Sequence, residues 1–170
     1  MQENTTQSWQ PANYNTIDPY IPVKGVAAFI EFLKQVFDAK EDFRVPNPDG
    51  TIGHAEVRVG DSVLLMFDSN DNWPATPAFL RIYVEDADTS FKRAIEAGAQ
   101  SLTEVMDSFL GERGGRVKDP FGNIWWIITR VENLSDEEKG CRASEQKYMN
   151  NMMIAIRTFD EEMSSRKSKG

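Results

Sequence analysis

The sequence predicts an α+β fold built from two copies of one βαβββ module. The same order of strand-like and helix-like segments occurs twice, and the two copies lie about 60 residues apart. Val23 and Val84, each just ahead of a helical pattern, are 61 residues apart, and the turns at 59–61 and 117–119 each precede an apolar strand. One such module cannot cover both faces of its own sheet. We therefore expect the two modules to pack together and to leave a concave face for a small ligand.

The first module begins with an edge strand over 17–23, because Pro19 and Pro22 cannot donate to a central ladder. A helix follows, in which Val26, Leu33 and two further apolar residues recur at spacings of four, three and four. Turn residues then separate three short β-type runs, expected at 41–45, 51–59 and 62–67.

The second module repeats this order. A strand is expected over 78–84 and a helix over 86–97, ending before Gly98. Three more strands are expected at 99–104, 110–117 and 123–129. The sequence Asp119-Pro120-Phe121-Gly122 predicts a turn between the last two strands, with the glycine at a positive φ.

The repeat is flanked by two segments of different character. Residues 1–16 are polar and without periodicity, which predicts a flexible leader ahead of a domain at 17–130 with modules at 17–68 and 78–130. Residues 131–170 are expected to form a helical extension that starts at a capping box, Ser135 to Glu138. Its apolar stripe must pack on the same chain or on a second subunit, and consists of Tyr148, Met149, Met152, Met153, Ile156, Phe159 and Met163.

Composition narrows the possible partners. The 170 residues are 40% hydrophobic and 27% charged, enough for one domain with a core. No run approaches the roughly 18–20 apolar residues of a membrane span, and the first residues do not resemble a signal peptide, so we expect a soluble cytoplasmic protein with no membrane partner. The net charge of −8 argues against nucleic acid, and the single cysteine, Cys141, excludes an internal disulfide.

Four strings resemble those of a known family. They are PYIPVK at 19–24, EFLKQVF at 31–37, HAEVRVGDS at 54–62 and GGRVKDPFGNIW at 114–125. Together they resemble the glyoxalase/bleomycin resistance/dioxygenase (vicinal oxygen chelate) superfamily, and within it the PhnB-like glyoxalase proteins, over about 17–130. The resemblance implies eight strands in a mixed sheet curled around a cleft, in a homodimer.

The resemblance also places the four metal ligands of the metal-dependent members. They fall on Asp18, Glu56, Phe79 and Trp126, and neither a phenyl nor an indole ring can donate a lone pair to a metal. His54, the single histidine, lies two residues from Glu56, and this pair could hold a metal weakly. We expect a site with no cofactor and no metal, with a divalent ion as the open alternative.

Aromatic residues favour a ligand-binding cleft instead. Trp125 and Trp126 alternate across the last strand, so that one faces the helices and the other the cleft. Arg113 and Arg116, which flank Gly114-Gly115, could meet an anionic group, or they could lie in a mobile polar hairpin. The alternative for any of the rings is ordinary core packing. The expected ligand-binding residues are Phe67, Phe79, Tyr83, Phe109, Arg116, Trp125 and Trp126.

Two functions follow from these residues. The first is the binding of a small hydrophobic or aromatic molecule in the cleft, without turnover. The second is a lyase or isomerase in which His54 and Glu56 serve as the catalytic acid and base, with or without a metal. Glu56 could instead pair with Arg58 or Arg81 in a purely structural role. A ring-cleaving dioxygenase is disfavoured, since iron sites of this superfamily use two histidines.

Overall fold

The structure, a computed structural model, describes residues 8–167, with the backbone alone at residue 167. The described residues divide into unit 1, at 8–34 and 38–76, and unit 2, at 35–37 and 77–167. The predicted flexible leader lies partly outside the described residues, at 1–7, and so do the last three residues of the predicted extension, 168–170.

Unit 1 contains one βαβββ module. Its elements are β1 (Tyr20–Val23), α1 (Val26–Phe37), β2 (Lys40–Pro46), β3 (Ile52–Val59) and β4 (Ser62–Asp68), and the last three residues of α1 belong to unit 2. The strand order is β1-β4-β3-β2, with β1 parallel to β4 and the other pairs antiparallel.

Unit 2 repeats this topology and adds two helices. Its elements are β5 (Phe79–Tyr83), α2 (Ala87–Glu96), β6 (Gln100–Asp107), β7 (Glu112–Lys118), β8 (Ile124–Arg130), α3 (Asp136–Ala143) and α4 (Gln146–Lys167). The strand order is β5-β8-β7-β6, with β5 parallel to β8. The predicted α+β class and the duplicated module are confirmed, and the eight strands form two four-stranded sheets, one in each unit.

Asp68 fixes the start of α1. Its Oδ1 accepts hydrogen bonds from the backbone N–H groups of Gly25 and Val26, both at 2.9 Å, and its Oδ2 accepts one from Ile52 at 2.7 Å. Gly25 has φ +91°, a conformation that glycine adopts without strain. One carboxylate therefore accepts from two backbone N–H groups at the helix N-terminus and ties the helix to the sheet.

Asp119 organises the turn between β7 and β8. The buried carboxylate accepts hydrogen bonds from the backbone N–H groups of Phe121 and Asn123, the Asn123 amide and Nε1 of Trp125, all at 2.8 to 2.9 Å. Burial raises the pKa of this carboxyl against the opposing effect of those hydrogen bonds. Gly122 has φ +94°, as the turn requires.

The sheet of unit 2 is covered on both faces. Helix α2 packs on one face, where a Cβ added at Gly115 would lie 2.9 Å from the ring of Phe91. Strand alternation places Trp125 on this same face, and it is buried there. Helix α4 lies on the opposite face, against Arg116 and Trp126.

The C-terminal extension forms two helices. α3 begins at the predicted capping box, in which Ser135 and Glu138 bond reciprocally. α4 is 22 residues long. Among the residues that the structure describes, none of the helices combines the length and apolar composition needed to cross a bilayer.

The apolar stripe predicted for this extension is largely uncovered. Four of its seven residues are at least 40% exposed, namely Met152, Met153, Ile156 and Met163. The α4 side chains that bond to side chains of the sheet are polar, and they include Thr158 and the buried Glu162. The reason is that α4 faces a sheet surface carrying Arg116 and Lys118, whose donors require acceptors.

Candidate functional site

Unit 2 contains a partly open cavity of about 170 Å³ between its sheet and α4. On the sheet side it is lined by Thr103, Met106, Phe109, Gly114, Trp126 and Ile128, and on the helix side by Tyr148, Asn151, Met152, Ala155 and Ile156. An apolar cavity of about 150 Å³ is enough to hold one benzene ring. The space thus suits a molecule with a single ring.

Arg116 is the basic side chain in the cavity wall. Its Nη1 donates to the carbonyl of Ala155 at 2.6 Å, and its guanidinium carbon lies 4.6 Å from the ring centre of Trp126 and 5.3 Å from that of Phe159. Its Nε is buried without a hydrogen-bond partner. Burial lowers the pKa of this guanidinium, and in the described part of the chain no carboxylate lies within 4 Å of it.

Two carboxylates also line the cavity, and both are paired. Asp107 accepts hydrogen bonds from Lys147 at 2.8 Å and Arg113 at 3.1 Å, which lower its pKa. Glu112 accepts from Arg81 at 2.7 Å. Among the charged side chains that line this cavity, Arg116 is therefore the one without an oppositely charged partner.

Polar contacts hold α4 over the sheet. They are the Lys118–Glu162 ion pair at 2.7 Å, the Thr103–Thr158 hydroxyl pair at 2.6 Å and the bond from the Asn151 amide to the carbonyl of Asp107 at 2.9 Å. Phe79 adds an aromatic contact, stacked on Phe159 with ring centres 4.9 Å apart. Because most of these contacts are directional, they fix the distance between α4 and the sheet.

Unit 1 carries a chain of four hydrogen-bonded side chains. Strand alternation places His54 and Glu56 on one face of β3, and His54 Nε2 lies 2.9 Å from Glu56 Oε1. Tyr14 donates to the other oxygen of Glu56, and the Tyr20 hydroxyl lies 3.1 Å from His54 Nδ1. The hydrogen bonds from His54 and Tyr14 lower the pKa of Glu56.

Aromatic rings surround this chain. Tyr20 meets Phe67 edge to face at 5.3 Å, and Phe67 meets Trp73 in the same way at 5.4 Å. Phe43 lies 6.1 Å from His54. Tyr20, Phe43 and Trp73 are each more than 50% exposed, so this is an open surface.

The structure brings together three of the predicted ligand-binding residues, because Phe109, Arg116 and Trp126 all line the cavity. Trp125 lies on the opposite face of the same sheet, buried and bonded to Asp119.

The remaining predicted residues lie elsewhere. Tyr83 is 59% exposed and donates to Glu112 at 2.6 Å, and Phe79 stacks on α4 outside the cavity wall. Phe67 lies in unit 1 with His54 and Glu56.

Sequence reasoning missed the residues that other segments bring to these sites. Asn151 and Ala155 come from α4, where single polar and small positions offered no signal for a cavity wall, and Tyr148 was predicted only as part of the apolar stripe. Tyr14 comes from a segment without periodicity, and its partner Glu56 is 42 residues away.

The glycine pair beside Arg116 has a packing role. A Cβ added at Gly115 would lie 2.7 Å from the carbonyl oxygen of Thr103, and one at Gly114 would collide with the carbonyl of Ile127. The pair thus allows neighbouring strands and α2 to approach closely, and Gly114 also lines the cavity.

Comparison with protein families agrees with this architecture. Residues 14–127, which span both modules, match the model of the Glyoxalase/Bleomycin resistance protein/Dioxygenase superfamily. The chain belongs to this superfamily. Superfamily membership leaves the activity open, since one fold hosts many functions.

Relatives and solved structures extend this result. The chain is 33% identical over 144 residues to an uncharacterized protein of Mycobacterium bovis, covering 76% of this chain and 93% of that protein. TioX from Micromonospora sp. ML1 is similar in structure with a TM-score of 0.56 at 20% identity, over 71% of this chain and 100% of TioX. A PhnB protein from Bacillus cereus is similar in structure with a TM-score of 0.54 at 17% identity, over 68% of this chain and 99% of that protein. Both structures share the superfamily fold.

The side chains present do not fit the four-ligand metal site of the superfamily's metal-dependent members. Phe79 is stacked on another ring, and the guanidinium carbons of Arg81 and Arg116 lie 4.7 and 4.6 Å from the ring centre of Trp126. Neither ring offers a metal donor, and the two guanidinium groups would repel a cation. Among the described residues, no group of three or more His, Cys, Asp or Glu side chains could hold a metal ion.

Proposed function

We propose that this superfamily member binds a small hydrophobic or aromatic molecule in the cavity of unit 2, without the superfamily metal. The observation that carries the proposal is the cavity between the sheet and α4, whose wall is mainly apolar. Trp126, Met106, Ile128 and Met152 line it and supply apolar contacts. A ligand of one ring would bury most of its surface there.

The test measures binding of single-ring compounds by calorimetry and by tryptophan fluorescence. Ala155 lines the cavity from α4, so Ala155→Leu should fill the space and abolish binding. Met153→Leu, on the exposed side of the same helix, is the matched control and should bind like the wild type. If a broad panel of single-ring compounds fails to bind the wild type, or if Ala155→Leu binds as well as Met153→Leu, the cavity is not a binding site.

A second candidate is an acid–base lyase or isomerase in unit 1, favoured by the 2.9 Å contact between His54 and Glu56. Glu56, whose pKa is lowered, would orient the imidazole rather than take the proton itself. Both ring nitrogens of His54 are engaged, so a substrate would have to displace Tyr20, which is 53% exposed. Because of this requirement, we place the enzymatic function second to ligand binding.

This candidate predicts proton exchange at carbon atoms next to carbonyl groups. NMR would follow deuterium uptake from D₂O by small ketones and 2-oxo acids in the presence of the protein. Exchange that is lost in His54→Gln and reduced in Glu56→Gln, but kept in Trp126→Phe, would support it. Exchange that survives unchanged in both unit 1 variants would exclude the pair from the reaction.

A further inference from the structure

We infer that the ligand of unit 2 is a monoanion, a single-ring carboxylate whose charge is bound by Arg116. This inference rests on the proposed function, because it names the chemical class of the molecule in the same cavity.

Arg116 is a partly buried cation that lacks a counter-ion. Its Nε is buried with no acceptor, and one hydrogen bond to the Ala155 carbonyl is its polar contact with α4. Buried polar groups in folded proteins nearly always have a partner, and an unpaired buried charge is strongly unfavourable. An anionic ligand in the cavity would supply the missing charge.

The other charges near the cavity are already compensated. Asp107 is bonded to Lys147 and Arg113, and Glu112 is bonded to Arg81. A cationic ligand would have to compete with these bonds. An anion, in contrast, meets a charge that no described carboxylate balances.

Because Arg116 is a single unpaired cation, the cavity favours a ligand with a single negative charge. Lys118, the next basic residue facing α4 on the same strand, is paired with Glu162 at 2.7 Å. A phosphate or phosphonate dianion would therefore keep one charge unpaired in an apolar wall. A carboxylate matches the single charge and the planar fork of donors that a guanidinium offers.

The aromatic neighbours orient the guanidinium. Its carbon lies over Trp126 at 4.6 Å and over Phe159 at 5.3 Å, and stacking of this kind leaves the N–H groups at the edge free to donate. The cavity of about 170 Å³ leaves room for one ring beside the carboxylate. Benzoate is the simplest probe with these properties.

The experiment compares benzoate with benzamide, its neutral analogue of the same shape, by calorimetric titration of the full chain. The wild type should bind benzoate at least about tenfold more tightly, because a charge-assisted hydrogen bond is stronger than a neutral one. In Arg116→Met, benzoate affinity should fall by about 10- to 100-fold while benzamide affinity changes less than about threefold. Arg44→Met, which removes an arginine that is paired with Glu41 in unit 1, is the control and should match the wild type.

The outcomes separate this inference from the proposed function. If the wild type binds both probes equally, the cavity is a binding site but the anion inference is overturned. If neither probe nor any other single-ring compound binds, the proposed function fails and the inference fails with it. Tighter binding of phenylphosphonate than of benzoate would overturn the assignment to a monoanion. Should Arg116→Met not fold, the wild-type comparison and Arg116→Gln still decide the matter.

Discussion

Glu162 on α4 and Lys118 on β7 form an ion pair with 2.7 Å between Oε2 and Nζ, and the Glu162 side chain is only 6% exposed. Burial opposes ionisation of Glu162, but hydrogen bonds from Lys118 and Arg166 outweigh that effect and lower its pKa. The pair joins the helix that covers the cavity to the strand that carries Arg116.

Replacing Glu162 should therefore destabilise the protein at neutral pH. A carboxyl whose pKa is lowered on folding stabilises the fold above its unfolded pKa, near 4.5, and loses this contribution as the pH falls through the folded pKa. Glu162→Gln should lower the free energy of unfolding by about 1–2 kcal/mol at pH 7 and by less in acid. Urea unfolding of the wild type and the variant at pH 7 and in acid measures the two losses in free energy. Glu161→Gln, on the exposed side of α4, should have little effect, and equal losses in the two variants would contradict the prediction.

The single histidine allows a direct test of the hydrogen-bonded chain in unit 1. With Glu56 ionised, neutral His54 should carry its proton on Nε2, donate to Glu56 and accept from Tyr20 at Nδ1. Nitrogen-15 NMR of the imidazole reports the tautomer without assignment of other residues. Tyr20→Phe should keep the Nε2–H form and Glu56→Gln should weaken the preference for it. A dominant Nδ1–H form in the wild type would contradict this arrangement.

Asp119 should be among the more sensitive polar positions, since its carboxylate accepts four hydrogen bonds while 3% exposed. Asp119→Ala would leave the Trp125 indole and backbone donors without acceptors, at about 2–4 kcal/mol. Thermal unfolding followed by circular dichroism measures the loss. Asp71→Ala, at an exposed loop position, provides the control. A loss no larger than that of the control would show that the turn does not depend on this carboxylate.

Two glycines should respond to alanine in opposite directions. Gly115→Ala places a Cβ 2.7 Å from the Thr103 carbonyl oxygen and 2.9 Å from Phe91, so about 2–3 kcal/mol should be lost. Gly140 lies within α3 with nothing within 4 Å of an added Cβ, so Gly140→Ala should stabilise the protein by about 0.5–1 kcal/mol. Denaturant unfolding of both variants gives the comparison, and a tolerated Gly115→Ala would refute the packing role.

The homodimer implied by the family resemblance stays a prediction. Exposed apolar residues are available for such an interface, among them Tyr20, Phe43 and Trp73 in unit 1 and Met153 and Ile156 on α4. Light scattering after size-exclusion chromatography should give twice the 19.3 kDa of the chain. A mass of one chain at micromolar concentration would contradict it.

Local patterns predicted the fold well because each element is bounded by residues whose chemistry acts locally. The capping box at Ser135 and the turn at 119–122 lie where the sequence predicts them, and the first strand, expected over 17–23, is shorter and contains only Pro22 of the two prolines. Only the sheet side of the cavity could be predicted from the sequence. Arg116 and Trp126 sit on strands whose alternation assigns them a face, whereas Ala155 became a wall residue through the long-range docking of α4, which periodicity does not encode.

The position of α4 has an evolutionary consequence. The family match ends at residue 127, whereas α4 begins at Gln146 and supplies one whole wall of the cavity. Substitutions at Met152 or Ile156 would therefore change the volume and shape of the cavity without changing any residue of the duplicated sheets. The wall that α4 supplies can therefore vary in sequence independently of the residues that build the two sheets.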